Sequence, residues 1–196
     1  MDACMTWAIW IAGAYLVGSV PFGYLIGRAR GVDVRTVGSK NIGATNVYRT
    51  VGKGWGLLAF LCDFLKGLLP TLAALRWGGD TDLPVCVGLA CVVGHTLTVF
   101  MRFRGGKGVA TAFGMMIALL PYPTLAAFGV FVVTVWLSHY ISLGSILAAA
   151  TLGALTWVFP ATLLLRVVAT AIAAFVIVKH RSNIARIAKG CENKIY

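Results

Sequence analysis

Residues 102–121 read Arg102-Phe-Arg-Gly-Gly-Lys-Gly-Val-Ala-Thr-Ala-Phe-Gly-Met-Met-Ile-Ala-Leu-Leu-Pro121. Clustered arginine and lysine feeding directly into an apolar run is the pattern of a cytoplasmic loop entering a membrane helix. Further apolar runs lie on both sides, at 4–27, 55–75 and 84–101 before it and at 122–138, 141–159 and 160–178 after it. With 109–120 they suggest seven spans in one domain covering 1–196, although a lone spanning helix needs about 20 apolar residues. The competing reading is a single kinked span over 109–138, because only Pro121 and Pro123 divide those two runs.

Charge decides between them. Basic residues cluster at 28–53 (Arg28, Arg30, Arg35, Lys40, Arg49, Lys53), at 102–107 (Arg102, Arg104, Lys107) and in the tail (Lys179, Arg181, Arg186, Lys189, Lys194), fourteen of the seventeen in all. All three segments are expected on the cytoplasmic side. The 76–83 turn sets Arg76 against Asp80 and Asp82, and the turns at Pro121 and Pro160 carry no charge. A cytoplasmic 102–107 loop and a cytoplasmic tail need an even number of crossings between them, which four satisfy and three do not. The expected fold is therefore an all-α integral membrane protein of seven transmembrane helices, N-terminus outside and C-terminus cytoplasmic. Only Asp2 precedes the first run, which lacks the basic n-region of a cleaved signal.

Composition agrees. The chain is 59% hydrophobic and 12% charged, with net charge +11 and mean hydropathy +0.87. A soluble domain carries roughly 25% charged residues. Nucleic acid is not an expected partner, because no soluble basic domain exists to bind it. The cysteines at 4, 62, 86, 91 and 191 form no CxxC pair and read as reduced, buried hydrophobes. Within the spans, Asp63 and Lys66 share a helix face and can neutralise each other. Arg166 has no assigned function.

The three basic segments carry the chemistry. The first mixes Gly38, Ser39, Asn41, Gly43, Thr45, Asn46 and Arg49. Glycines let backbone N–H groups approach an anion, hydroxyls and amides add donors, and arginine supplies a planar fork for phosphate. A flexible Gly/Ser/Asn linker would need no such density of donors. In the second, Gly105, Gly106, Lys107 and Gly108 open an apolar helix, a setting where free N–H groups, helix dipole and ammonium favour an anion. A Walker A loop would need glycine in place of Met101 and Ser or Thr in place of Gly108, so a nucleotide is not expected. In the third, His180 and Asn183 stand one turn apart; an ordinary basic tail is the alternative. His95, after Gly94, is ambiguous, and His139 reads as a surface residue.

Such ligands beside a bilayer suit a substrate with a phosphate head and an acyl tail. No covalent nucleophile stands beside a base, no carboxylate cluster suits Mg²⁺, and no zinc site is credible. Residues five beyond His95, His139 and His180 are Phe100, Gly144 and Ala185, so the His-x4-Asp pair of CoA- or carrier-dependent acyltransferases is missing. The alternative class is a phosphate or organic-anion transporter, which would place its polar residues nearer the bilayer midplane.

Seven motifs occur in order: Gly18-Ser-Val-Pro21-Phe-Gly23, Gly38-Ser-Lys-Asn-Ile-Gly-Ala-Thr-Asn46, Asp63-Phe-Leu-Lys-Gly67, Gly94-His95, Gly105-Gly-Lys-Gly-Val-Ala-Thr111, Tyr140-Ile-Ser142 and His180-Arg-Ser-Asn-Ile184. Over nearly its whole length the chain resembles the bacterial acyl-phosphate:glycerol-3-phosphate acyltransferase family. That resemblance implies acyl transfer from acyl phosphate to the 1-hydroxyl of sn-glycerol 3-phosphate, giving lysophosphatidic acid and inorganic phosphate. It implies a multi-pass protein of the bacterial inner membrane, active on its cytoplasmic face as a monomer without metal or other cofactor. Ser39, Arg49, Lys107, His180 and Asn183 match the family's essential polar residues. Gly38, Asn41, Gly43, Thr45, Asn46, Gly105, Gly106 and Gly108 fall in its substrate-binding segments. Two departures stand out: Lys40 replaces the family's usual glycine, and Thr98 a common proline.

Overall fold

The structure is a computed structural model that describes residues 3–195; Asp2 and Tyr196 lie outside the described residues. Among these, the chain forms ten α-helices and one 3-10 turn. They fall into two compact units, Met1–Leu119 and Leu120–Tyr196.

In the first unit, α1 (Ala3–Ser19) and α2 (Phe22–Ala29) are divided at Val20 and Pro21. Proline has no N–H to continue the helical ladder, and in lipid every freed carbonyl must find a partner inside the protein. Val20 O finds two, the Phe22 N–H at 3.1 Å and the Lys66 ammonium at 2.8 Å. The short α3 (Ala44–Thr50) leads into α4 (Lys53–Trp77), then α5 (Leu83–Thr96), the 3-10 turn Val99–Met101 and α6 (Val109–Leu119).

Close helix contacts in this unit run through glycines. A methyl group on Gly18 would fall 2.3 Å from Cys91 O, and one on Gly67 2.1 Å from Thr111 O. Helices in a membrane associate through such close backbone packing, since lipid supplies no hydrophobic drive between them. Around these contacts Ala14, Ala74, Leu83, Val87, Ala90 and Cys91 form one buried cluster. A second cluster of Val34, Ile42, Val47 and Ala59 pins the 30–50 segment to α4.

The second unit contains α7 (Pro121–Ser138), α8 (Ile141–Leu155), α9 (Leu163–Lys179) and α10 (Arg181–Ala188). The helices α9 and α10 are bent by 51° at His180. In both units large apolar side chains face outward, including Leu57, Leu69, Leu125 and Val133, each more than half exposed. A water-facing surface would not carry them so densely.

Each apolar run of the sequence is helical, and the chain is an all-helical membrane protein. Four helical stretches, Cys4–Ala29, Lys53–Trp77, Leu83–Met101 and Pro121–Ser138, are long and apolar enough to cross a bilayer alone, and the bent pair α9–α10 makes a fifth. At 1.5 Å per residue, α6 rises about 17 Å and α8 about 22 Å, less than the roughly 30 Å hydrocarbon core. Between the 109–120 and 122–138 runs the helix is interrupted: α6 ends at Leu119 and α7 begins at Pro121. All five cysteines are free; Cys91 alone is fully buried, and Cys4 and Cys191 are exposed, contrary to their expected burial.

Candidate active site

In the first unit, the polar segment between α2 and α3 is organised by one side chain, Asn46. Its Oδ1 accepts the Ser39 N–H at 2.9 Å, and its Nδ2 donates to Val34 O at 2.8 Å and to Val37 O at 3.2 Å. The Asn46 amide is buried and committed to the loop backbone, so it shapes the segment rather than offering a ligand group. Asn41 acts similarly, its Oδ1 accepting the Gly43 N–H at 2.8 Å. Gly38 and Lys40 both take φ +57°, a left-handed conformation. Lys40 thus holds a left-handed backbone at a cost in sterics.

What remains presented is Ser39, exposed on the loop, and one face of α3 that carries Thr45 and Arg49 one turn apart, both partly exposed. The sequence grouped seven residues here; the structure separates those bonded within the loop from those left exposed or partly exposed. Upstream, Arg35 grips Asp33 with Nε–Oδ1 2.9 Å and Nη2–Oδ2 2.7 Å. Hydrogen bonds from that guanidinium hold the Asp33 carboxyl down at about 2.

The segment after α5 turns back on itself. Arg102 and Phe103 take φ +53° and +60°; then Phe103 N–H donates to Thr98 O at 2.8 Å, Gly105 N–H to Thr96 O at 3.1 Å and Gly106 N–H to His95 O at 3.1 Å. The N–H groups of Gly105 and Gly106, expected to face an anion, are therefore spent on the end of α5. Gly106 is required for closeness: a methyl there would fall 2.2 Å from His95 Nε2. Gly108 O accepts the Ala112 N–H at 2.8 Å as α6 begins, so the first N–H groups of α6 have no intrahelical partner. Lys107, half-buried, immediately precedes this helix start. Thr98 has φ −65°, a value proline would also hold, and its hydroxyl donates to Ser19 O at 2.5 Å.

In the second unit, His180 sits at the α9–α10 joint, buried, with Nδ1 2.7 Å from Val176 O. A carbonyl only accepts, so Nδ1 carries a proton and Nε2 is the ring nitrogen left for another partner. Asn183, also buried, donates from Nδ2 to Glu192 Oε1 at 2.6 Å. The same oxygen accepts from Ser142 Oγ at 2.8 Å, and Oε2 accepts from Arg186 Nε at 2.6 Å. Burial works to raise the Glu192 carboxyl, but these three hydrogen bonds and the Arg186 charge outweigh it and hold the group below its ordinary value. The tail is fastened again where Ile195 N–H meets His139 O at 2.9 Å, so His139 is a backbone anchor at the α7–α8 turn. Glu192 and Ser142 were not selected from sequence as site residues. The available signal was a lone acid in a basic tail. Among the described residues no group of three or more His, Cys, Asp or Glu lies together.

These positions can be set beside known proteins. A sequence model of the family described as Glycerol-3-phosphate acyltransferase matches residues 8–190. The glycerol-3-phosphate acyltransferase of Trichlorobacter lovleyi is 51% identical over 94% of this chain and 95% of its own. That of Geobacter sulfurreducens is 48% identical over 93% and 94%. Among solved structures, the glycerol 3-phosphate form of PlsY (YgiH), an integral membrane glycerol 3-phosphate acyltransferase, matches with TM-score 0.91 at 41% identity, covering 96% of this chain and 94% of that one. Its lysophosphatidic acid form matches with TM-score 0.88 at 40% identity over the same shares. With a polar loop, a glycine turn opening a helix and a capped histidine all on an apolar helical frame, the chain belongs to the glycerol-3-phosphate acyltransferase family.

Proposed function

We propose that the chain transfers a fatty acyl group from acyl phosphate to the 1-hydroxyl of sn-glycerol 3-phosphate, releasing lysophosphatidic acid and inorganic phosphate. The observation that carries this reading is the turn at Gly105–Gly108, which sets Lys107 just before the start of α6, where the first N–H groups lack intrahelical partners. A lysine preceding a helix N-terminus suits a phosphate anion, and a membrane frame suits its acyl chain.

The acceptor hydroxyl oxygen attacks the acyl carbonyl carbon. The bond from that carbon to the phosphate oxygen breaks, and phosphate leaves with the electron pair. Phosphate is a good leaving group from this mixed anhydride, so no acyl-enzyme is needed. Lys107 and Arg49 stabilise charge on the phosphates, while the α6 N–H groups face the developing negative charge. Ser39 and Thr45 supply hydroxyl donors, and Gly38, Asn41, Gly43 and Asn46 keep them in place. Asn183, oriented by Glu192, and His180 Nε2 position the glycerol 3-phosphate. Holding both substrates in line supplies much of the remaining acceleration.

The hydroxyl proton passes to a phosphoryl oxygen of substrate. His180 is held by a carbonyl, which fixes its tautomer but stabilises an imidazolium less than a carboxylate would, and the nearby Glu192 carboxylate is taken up by Ser142, Asn183 and Arg186.

Residues 1–196 act as one domain of seven spans, α6 and α8 among them, with N-terminus outside and C-terminus cytoplasmic. The protein works as a monomer in the bacterial inner membrane with its active site towards the cytoplasm. The deciding assay uses purified protein in detergent with acyl phosphate and glycerol 3-phosphate, without nucleotide or metal. It should form lysophosphatidic acid and phosphate in equal amounts; equal or faster turnover with acyl-CoA overturns the donor assignment. A reporter active only outside should work fused before the first span and fail fused after Tyr196.

A further inference from the structure

One cluster of ionisable groups takes no part in this chemistry. Asp63 and Lys66 on α4 and His95 on α5 are 2%, 4% and 5% exposed. Lys66 Nζ lies 2.7 Å from Asp63 Oδ1, and the same oxygen lies 3.5 Å from His95 Nδ1. Burying an ion pair seldom stabilises a fold over an apolar substitute. Lys66 is explained by the carbonyl it caps at the α1–α2 break. His95 is not explained by that break, and its outer edge is where the glycine turn lands. Its carbonyl takes the Gly106 N–H, and its Nε2 occupies the space that any side chain at 106 would need.

We propose that His95, oriented by Asp63, is a positioning residue for the donor: its ring is the platform that sets the height of Gly106 and thereby places Lys107 and the start of α6 against the acyl phosphate. Asp63 Oδ1 faces Nδ1 at 3.5 Å, which leaves Nε2 towards Gly106 and against the turn. The inference rests on the proposed donor reading for its choice of substrate, not for its geometry.

The test is a double-mutant cycle on the purified enzyme in detergent, with KM for each substrate, kcat and Tm measured for every variant. Gly106→Ala should lower kcat/KM for acyl phosphate by about 100-fold, the scale of an ångström-sized misplacement. With His95→Ala the ring is gone, and adding Gly106→Ala should cost less than about threefold more, because contacting residues are non-additive. His95→Gln and Asp63→Asn should raise the acyl phosphate KM while leaving the glycerol 3-phosphate KM within about twofold. Where His95→Ala yields no folded protein, His95→Ser with Gly106→Ala carries the same cycle, since serine also leaves the space of the ring empty. Multiplying losses overturn the proposal, as does a fall in Tm and kcat with both KM values unmoved, the outcome of a purely structural role. Should acyl-CoA prove to be the donor, the proposed function fails, and the cycle run with that donor still decides the platform.

Discussion

Glutamine in place of Glu192 removes one charge and almost no volume. The carboxylate accepts from Ser142 Oγ at 2.8 Å, Asn183 Nδ2 at 2.6 Å and Arg186 Nε at 2.6 Å. A glutamine amide has one oxygen, so its NH2 must confront either Arg186 or the Ser142–Asn183 pair, donor against donor. Hydrogen bonds to a charged group are worth about 1.5–3 kcal/mol each. The Arg186 side chain is 37% exposed, so its contribution is discounted for solvent to about 1 kcal/mol or less. With the two buried bonds weakened rather than lost, the expected destabilisation is about 3 kcal/mol. For a chain of this length that lowers Tm by about 6–12 °C, readable by tryptophan fluorescence during heating in detergent. The pH dependence has a definite sign. The folded-state carboxyl lies below its ordinary value near 4.5, so its stabilisation is present above that value and is lost as pH falls through the lower folded one. The Tm gap between wild type and Glu192→Gln should hold between about pH 8 and 5.5 and then narrow on further acidification. A variant within about 1 °C of wild type at neutral pH, or a gap that widens in acid, refutes the network.

Lys40→Gly relieves a left-handed lysine; after the entropic cost of glycine it should stabilise by about 0.5–1 kcal/mol, a small rise in Tm with turnover unchanged. Lys107→Ala and Arg49→Ala each remove a charged phosphate contact and should lower kcat/KM by about 10- to 150-fold in a lysophosphatidate assay, with Tm held within about 3 °C. His180→Gln should mainly raise the glycerol 3-phosphate KM and keep the acidic limb of the pH–rate profile, whereas a lost limb with unchanged KM would make His180 the base.

Much of this molecule was legible before any coordinates. A helix is closed by bonds four residues apart, and lipid demands that closure, so the apolar runs predicted the helices and Pro121 a break, while the break at Pro21 inside the 4–27 run appeared only in the structure. The Asp63–Lys66 pair was legible for the same reason, its spacing being local. Motif order along the chain also carried the family, since it needs no geometry.

What the linear order could not sort was the direction of each polar atom. Asn46 and the N–H groups of Gly105 and Gly106 read as anion ligands by composition, yet they bond inward to Val34, Thr96 and His95. His95 read as ambiguous because its meaning lies in Asp63 on one side and Gly106 on the other. Glu192 was not singled out because Ser142 stands 50 residues away in sequence. Local spacing and hydropathy determined that the chain is helical, membrane-embedded and equipped for phosphate. Which donors face a substrate and which are consumed by the scaffold was decided only by tertiary structure, because a buried donor bonds to whatever acceptor packing brings beside it.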